Sequence, residues 1–253
     1  MTFQILISTV SAAFFKKNKV VPSNYILINQ YNNHDKKANA EQAYNFNEKG
    51  LAKSRNRALE LATADICLIS DDDIEYTEDI ETIIINAFKE YVDADIITFQ
   101  IKTPEGEMYK KYKDTPFWHT TKTLMSVSSV EIAFKLKSIH TAELHFDEHF
   151  GLGSTFPTGE EIIFLTDALK KNLKILYIPI PIVVHPIESS GKNYDNIGLI
   201  KAKGAMFYRM FGNIGYFVAI VFAYKKYKVS SFSLIQFIVL MFNGITTYKR
   251  SIK

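Results

Sequence analysis

Three consecutive carboxylates, Asp71, Asp72 and Asp73, stand at the end of the apolar run Ile66 to Ile69. Acids so placed repel one another and lose hydration when partly enclosed, which a bound cation offsets. In extended backbone alternate side chains share a face, so Asp71 and Asp73 are expected on one side and Asp72 on the other. Two hard oxygen ligands at a strand end suit Mg²⁺ or Mn²⁺ bridging to a substrate phosphate. A solvated acidic turn, or an N-cap for a helix over residues 77–91, is the other reading of the same residues. Just upstream lie Arg55, Asn56 and Arg57. Guanidinium groups beside acids offer cations for a diphosphate, although each arginine singly also reads as part of a solvated helix face. A second acidic pair, Glu160 and Glu161, follows a loop framed by Gly151, Gly153 and Gly159. In the first turn of a helix such a pair either does chemistry or complements the helix dipole.

The elements that must position these groups alternate along the chain. Phe3–Thr9, Tyr25–Asn29, Ile66–Ile69 and Ile96–Ile101 read as strands. Leu51, Ala58, Leu59 and Ala62 recur at helical spacing, predicting a helix over 51–63. Further helices are expected over 77–91 and, with a basic loop, over 12–20. This is the pattern of a mostly parallel sheet covered by helices, whose ligands bind at the carboxyl ends of the strands, where the Asp triplet sits. Residues 103–115 read as a hairpin or exposed loop. Residues 126–139 read as a strand running into a helix, with Ile132, Lys135, Leu136 and Ile139 at helical spacing. From Glu160 a helix turns Ile162, Ile163, Leu165, Ala168 and Leu169 inward. Lys174–Val184 reads as a strand ending at His185; Pro179 and Pro181 remove two donors and place it at an edge or a break. Within Phe117-Trp118-His119, Trp118 is expected to pack inside, the alternative being a sugar-stacking face. His140, His145 and His149 lack the spacing of a helical zinc motif. The glycine loop is neither a P-loop nor a dinucleotide fingerprint.

Three blocks resemble the family 2 glycosyltransferases, inverting nucleotide-sugar enzymes of GT-A fold used in bacterial surface polysaccharide synthesis. They are Gly50-Leu-Ala-Lys-Ser-Arg-Asn-Arg-Ala-Leu, Asp71-Asp72-Asp73-Ile74 and Gly151-Leu-Gly-Ser-Thr-Phe-Pro-Thr-Gly-Glu-Glu-Ile-Ile-Phe-Leu165. The resemblance spans roughly residues 2–190. It implies an α/β GT-A domain over 1–200, with a mostly parallel sheet flanked by helices and a C-terminal hydrophobic helical extension. It assigns Asp71 and Asp73 to Mn²⁺ or Mg²⁺, with His185 as a further metal or diphosphate ligand. Asp72, Arg55, Asn56 and Arg57 fall to the nucleotide donor. Glu161, beside Glu160, takes the place of the catalytic base, where relatives carry an aspartate. Many relatives have an acidic pair after the second strand that meets the nucleobase. Here Asn29 and Gln30 stand instead, and amides can bond a uracil edge; Asp35 follows a little later. The implied activity moves a sugar from a nucleotide donor, a UDP-sugar foremost, to a hydroxyl of a glycan or lipid-linked acceptor. A nucleotidyltransferase and a non-catalytic nucleotide-sugar-binding protein are the alternatives.

Composition is ordinary for a globular domain, with 47% hydrophobic and 23% charged residues, and a net charge of +3 gives no ground for a nucleic-acid partner. The single cysteine, Cys67, lies within an apolar strand and reads as a small hydrophobe. Phe3 to Phe15 is largely apolar, yet Lys16, Lys17 and Lys19 follow it instead of preceding it, unlike a signal peptide. Residues 201–253 change character. Ala205–Tyr224 holds one charge, Arg209, and Val229–Tyr248 holds none, with Lys225, Lys226 and Lys228 between them. A two-span hairpin would put those lysines outside, against the positive-inside tendency. The expectation is interfacial helices on the inner face of the cell membrane, in a cytoplasmic protein; packing on the domain or on a second subunit is the other reading.

Overall fold

A computed structural model describes residues 1–10, 23–32, 37–186 and 194–252. The helix expected over 12–20, and Asp35, lie outside the described residues. In chain order the strands are β1 (Phe3–Val10), β2 (Tyr25–Gln30), β3 (Ala43–Phe46), β4 (Ile66–Asp71), β5 (Glu75–Tyr76), β6 (Ile96–Lys102), β7 (Phe117–Trp118), β8 (Ile132–Lys135) and β9 (Ile175–Val184). The helices are α1 (Leu51–Leu61), α2 (Ile80–Glu90), α3 (Thr121–Leu124), α4 (Leu136–Thr141), α5 (Glu160–Lys170), α6 (Ile197–Phe211), α7 (Ile214–Lys226) and α8 (Leu234–Ser251). The chain forms two compact units. The first holds Met1–Lys49, Lys53–Phe146 and Phe164–Ile187, and the second holds Gly50–Ala52, Asp147–Ile163 and Glu188–Lys253.

The first unit is built on one sheet in the order β3-β2-β1-β4-β8-β6-β9-β5, with β7 also on β9. β1 runs parallel to β2 and β4, and β6 parallel to β9, while β8 lies antiparallel between β4 and β6. This is the α/β, mostly parallel, GT-A-like arrangement. β1 and β4 are buried along nearly their whole length, as a sheet covered on both faces requires. Ile132 to Lys135 form a strand despite their helical spacing, because pairing to β4 and β6 on both sides satisfies their backbone. β9 sits inside the sheet, and the register against β6 jumps from Thr98–Tyr177 to Gln100–Pro181, so the prolines fall at a break. Trp118 departs from expectation. It is 48% exposed, and His119 takes the interior position instead, bonded to Thr98 (2.8 Å) and Thr123 (3.0 Å). Burial pulls the His119 pKa down to about 4, so the ring there is neutral. Cys67 is fully buried in β4, and burial pushes its thiol up to about 12.

The segment after β6 is a hairpin, bridged at Lys102–Met108 and anchored by a buried charge. Glu131, 2% exposed, accepts from Lys110 Nζ at 2.7 Å, the Tyr112 hydroxyl at 2.5 Å and the Ser128 N–H at 3.0 Å. Burial raises the Glu131 pKa, while Lys110 and the other donors oppose that shift.

In the second unit α6 and α8 touch backbone to backbone. A Cβ on Gly204 would lie 2.1 Å from the Met241 carbonyl oxygen, and one on Gly244 would lie 1.9 Å from that of Lys201. Only glycine permits this approach. The apolar stretch 205–224 is not one helix. It breaks between α6 and α7 at Gly212, whose φ of 58° suits glycine. Among the described residues no helix is long and apolar enough to cross a membrane.

Two stability predictions follow from these contacts. Glu131→Ala removes the anion that faces Lys110, leaving its ammonium the neutral Ser126 and Ser128 oxygens, and is expected to cost about 3 kcal/mol in urea unfolding. Helix propensity alone makes Gly244→Ala favourable by roughly 1 kcal/mol. The backbone contact reverses that sign, and a loss of about 1–3 kcal/mol is expected, read as a lowered thermal midpoint.

Candidate functional site

β4 delivers its last paired residue, Asp71, opposite Ser8 of β1, and the chain then turns. Strand alternation therefore stops at Asp71, and the three carboxylates reach three different partners. Arg55, from α1, is 3% exposed and donates from Nη2 to Asp71 Oδ1 at 3.0 Å. Its guanidinium also lies 5.7 Å from the Phe146 ring centroid. Ser129 Oγ donates to Asp71 Oδ2 at 3.3 Å. Asp72 Oδ2 accepts from Thr9 Oγ1 at 2.5 Å, at the end of β1. Asp73 Oδ1 lies 3.5 Å from His185 Nε2, just beyond β9. His185 Nδ1–H donates to the Pro186 carbonyl at 2.5 Å, which turns Nε2 toward the acid. The Asp73 carboxylate raises the imidazole pKa above its usual value, against a partial desolvation penalty. Tyr109, from the hairpin, sets its ring edge-on to His185 at 5.8 Å.

These groups suit a divalent cation of a particular kind. Asp73 is the most exposed of the set, with a side chain 48% accessible, and His185 adds one borderline nitrogen. Among the described residues no group of three or more His, Cys, Asp or Glu side chains makes a metal cage. Asp73 and His185 supply two donors, which suit Mg²⁺ or Mn²⁺ where phosphate oxygens and water supply the others.

The other expected donor contacts separate into two kinds. Asn29 is buried at the end of β2 and donates to Asn45 Oδ1 at 2.8 Å, and Gln30, 5% exposed, is the last residue of that strand. Both stand at the carboxyl edge of the parallel strands. Asn56 staples Phe146, donating to its carbonyl at 3.0 Å and accepting from its N–H at 2.8 Å. Arg57, whose side chain is 41% exposed, pairs with Glu48 at 3.6 Å and Glu60 at 3.2 Å. Arg55 is thus the arginine that meets the triplet.

In the second unit Glu160 and Glu161 occupy the first turn of α5. Glu160 is 5% exposed. A Cβ on Gly151, at φ 98°, would come within 3.2 Å of Glu160 Cδ, and one on Gly159, at φ 100°, within 2.7 Å of Met206 Sδ. Both glycines are therefore required by conformation and by space. Lys203 of α6 lies in the field of both glutamates; burial lowers its pKa, and Glu161 and Glu160 oppose the shift. Asp147 binds Arg209 Nε at 2.7 Å, the Tyr248 hydroxyl at 3.3 Å and the His149 N–H at 3.1 Å. Burial raises its pKa, but the donors from His149 and Arg209 outweigh that and hold it below the usual range. The three histidines do not share a centre: His140 meets the Leu59 carbonyl, His149 meets Asp147, and His145 is exposed.

Ser129, Thr9, Tyr109 and Lys203 were not foreseen. For Ser129 a signal existed in Ser128-Ser-Val-Glu131, a capping box that fixes a single 3₁₀ turn. The others meet their partners only through tertiary structure.

Residues 42–154 match the family described as glycosyl transferase family 2. No curated protein matches in sequence. Among solved structures, S. aureus TarS residues 1–349 is similar with TM-score 0.56 and 12% identity, over 99% of this chain and 73% of that one. The same fragment in complex with UDP-GlcNAc gives 0.55 and 12%, over 82% and 67%. Against a further S. aureus TarS structure the TM-score is 0.55 at 12% identity, and the match covers 82% of this chain but only 40% of that chain's length. The chain is thus similar to glycosyl transferase family 2 over residues 42–154, and its fold is similar to that of S. aureus TarS.

Proposed function

We propose that the protein is an inverting glycosyltransferase that moves a sugar from a nucleoside-diphosphate donor, a UDP-sugar foremost, to a hydroxyl of a glycan or lipid-linked acceptor. The observation that carries this reading is the acidic turn Asp71–Asp73, backed by the buried Arg55 and facing His185, at the carboxyl ends of the strands in the family-matching stretch. UDP-GlcNAc in S. aureus TarS, which has a similar fold, favours uridine in the donor. Asp73 and His185, with Asp71, would hold Mn²⁺ or Mg²⁺, which supplies Lewis-acid neutralisation of a departing diphosphate.

The chain's own residues do the rest. Arg55 fixes the Asp71 carboxylate and adds positive potential behind the turn. Asn29 and Gln30 offer amides to the nucleobase, and Asp72 presents a carboxylate steadied by Thr9 to the donor. Asn56 and Arg57, whose polar groups serve Phe146, Glu48 and Glu60, are assigned to structure instead. Glu161 removes the acceptor's proton as general base, with Glu160 buried beside it, and the hydroxyl attacks with inversion at the anomeric carbon. Residues 201–253 associate with the inner face of the membrane, where a lipid-linked acceptor would reside.

Titration calorimetry with UDP tests the donor site. Binding is expected with Mn²⁺ and is expected to vanish with chelator. Asp73→Asn should weaken the metal-dependent affinity at least about tenfold, the scale of one lost charge-assisted contact. Absence of UDP binding in both conditions would overturn the uridine donor. For the base, Glu161→Gln is expected to lower kcat by about 10²–10⁴ with UDP affinity unchanged. An equal fall in affinity would remove Glu161 from that role.

A further inference from the structure

α7 is apolar on two opposite sides. Gly215, Ala219 and Ala223 are buried, and Gly215 abuts the Phe207 backbone of α6. On the other side Ile214, Phe217, Ile220, Val221 and Tyr224 are exposed, by 67%, 67%, 42%, 38% and 69%. At about 100° per residue these five fall within one stripe roughly 120° wide. A helix that only covers a water-soluble core puts charge on its outer side. α7 carries none before Lys225. An exposed apolar stripe of this kind marks an interaction surface.

The charge around it selects the partner. From residue 196 to the end the chain has nine lysines and arginines and no aspartate or glutamate. Lys225, Lys226 and Lys228 follow the stripe directly, and Tyr224 ends it with an amphipathic ring suited to a membrane–water boundary. A second copy docking in parallel through the same stripe would bring lysines against lysines, and in either orientation no acid on this segment meets them. α8 is the weaker candidate for the same role, because Gly204 and Gly244 lock it against α6 and its exposed residues include Gln236, Asn243, Thr246 and Thr247.

We infer that α7 is the membrane-binding element, lying in the plane of an anionic bilayer with Ile214, Phe217, Val221 and Tyr224 in the acyl boundary and Lys225 and Lys228 on the headgroups. This deepens the membrane placement proposed above and rests on that part of the reading alone, so it stands or falls apart from sugar transfer.

Co-sedimentation with vesicles tests it. The full chain is expected to bind phosphatidylcholine vesicles containing phosphatidylglycerol at about 100 mM salt and to release as screening rises toward 1 M. It should bind pure phosphatidylcholine at least tenfold less well. Phe217→Ser with Val221→Ser, and separately Lys225→Glu with Lys228→Glu, should each lower binding at least tenfold while the thermal midpoint is kept. A Phe217→Trp variant should show blue-shifted emission on the anionic vesicles. Equal binding to both vesicle types, or binding untouched by the stripe variants, overturns the inference. So does light scattering that shows a dimer broken by the serine variants with no vesicle binding. These readings are the same whether or not the protein binds UDP.

Discussion

A guanidinium that is 3% exposed keeps its charge but loses its hydration, which a fixed anion offsets, and Arg55 has one in Asp71. The pair joins α1 to the end of β4 and decides how the acidic turn begins. With Asp71 occupied by Arg55 and Ser129, like-charge crowding in the triplet is relieved before any ligand arrives. Asp73 then stands more exposed than Asp71, with His185 as its neighbour. Breaking such a pair leaves an uncompensated buried charge, so the geometry of the turn and the stability of the first unit are linked through one contact.

A second buried charge works in the same neighbourhood by another route. Glu131 gathers Lys110, Tyr112 and Ser128, and Ser129, next along the same 3₁₀ turn, reaches Asp71. Tyr109, one residue before Lys110, reaches His185. One short hairpin thus touches the surroundings of two members of the candidate site. The second unit is held differently, by close backbone packing at glycines and by the Asp147 cluster, and its acidic pair is steadied from α6 and the glycine loop.

Much of this was legible from residue types. The strand entering Asp71, the amphipathic α1, the glycine loop and the first-turn glutamates all carry local signals, because periodicity and turn chemistry act over a few residues. β3, β5 and β7 were not legible, being two to four residues long and defined by pairing partners elsewhere in the chain. Residue type puts Trp118 inside, but β7 is a short strand whose pairing among the described residues is to β9, and its exposed side carries that residue. The Lys110–Glu131 pair spans a hairpin and a strand crossing, which no local pattern encodes. The tail read as two long apolar stretches, since hydropathy does not register that Gly212 turns the backbone or that Gly204 and Gly244 permit contact.

The Asp147 cluster also bears on the order in which the protein takes shape during synthesis. Its partner Tyr248 lies 101 residues further along the chain. At a ribosomal pace of about 5–20 residues per second, that hydroxyl is made roughly 5–20 seconds after the aspartate. Much of the first unit's sheet can pair in that interval, whereas the Asp147 cluster is completed only with the last described helix. The segment that precedes the proposed base therefore gains its Tyr248 contact only once nearly the whole chain has been made.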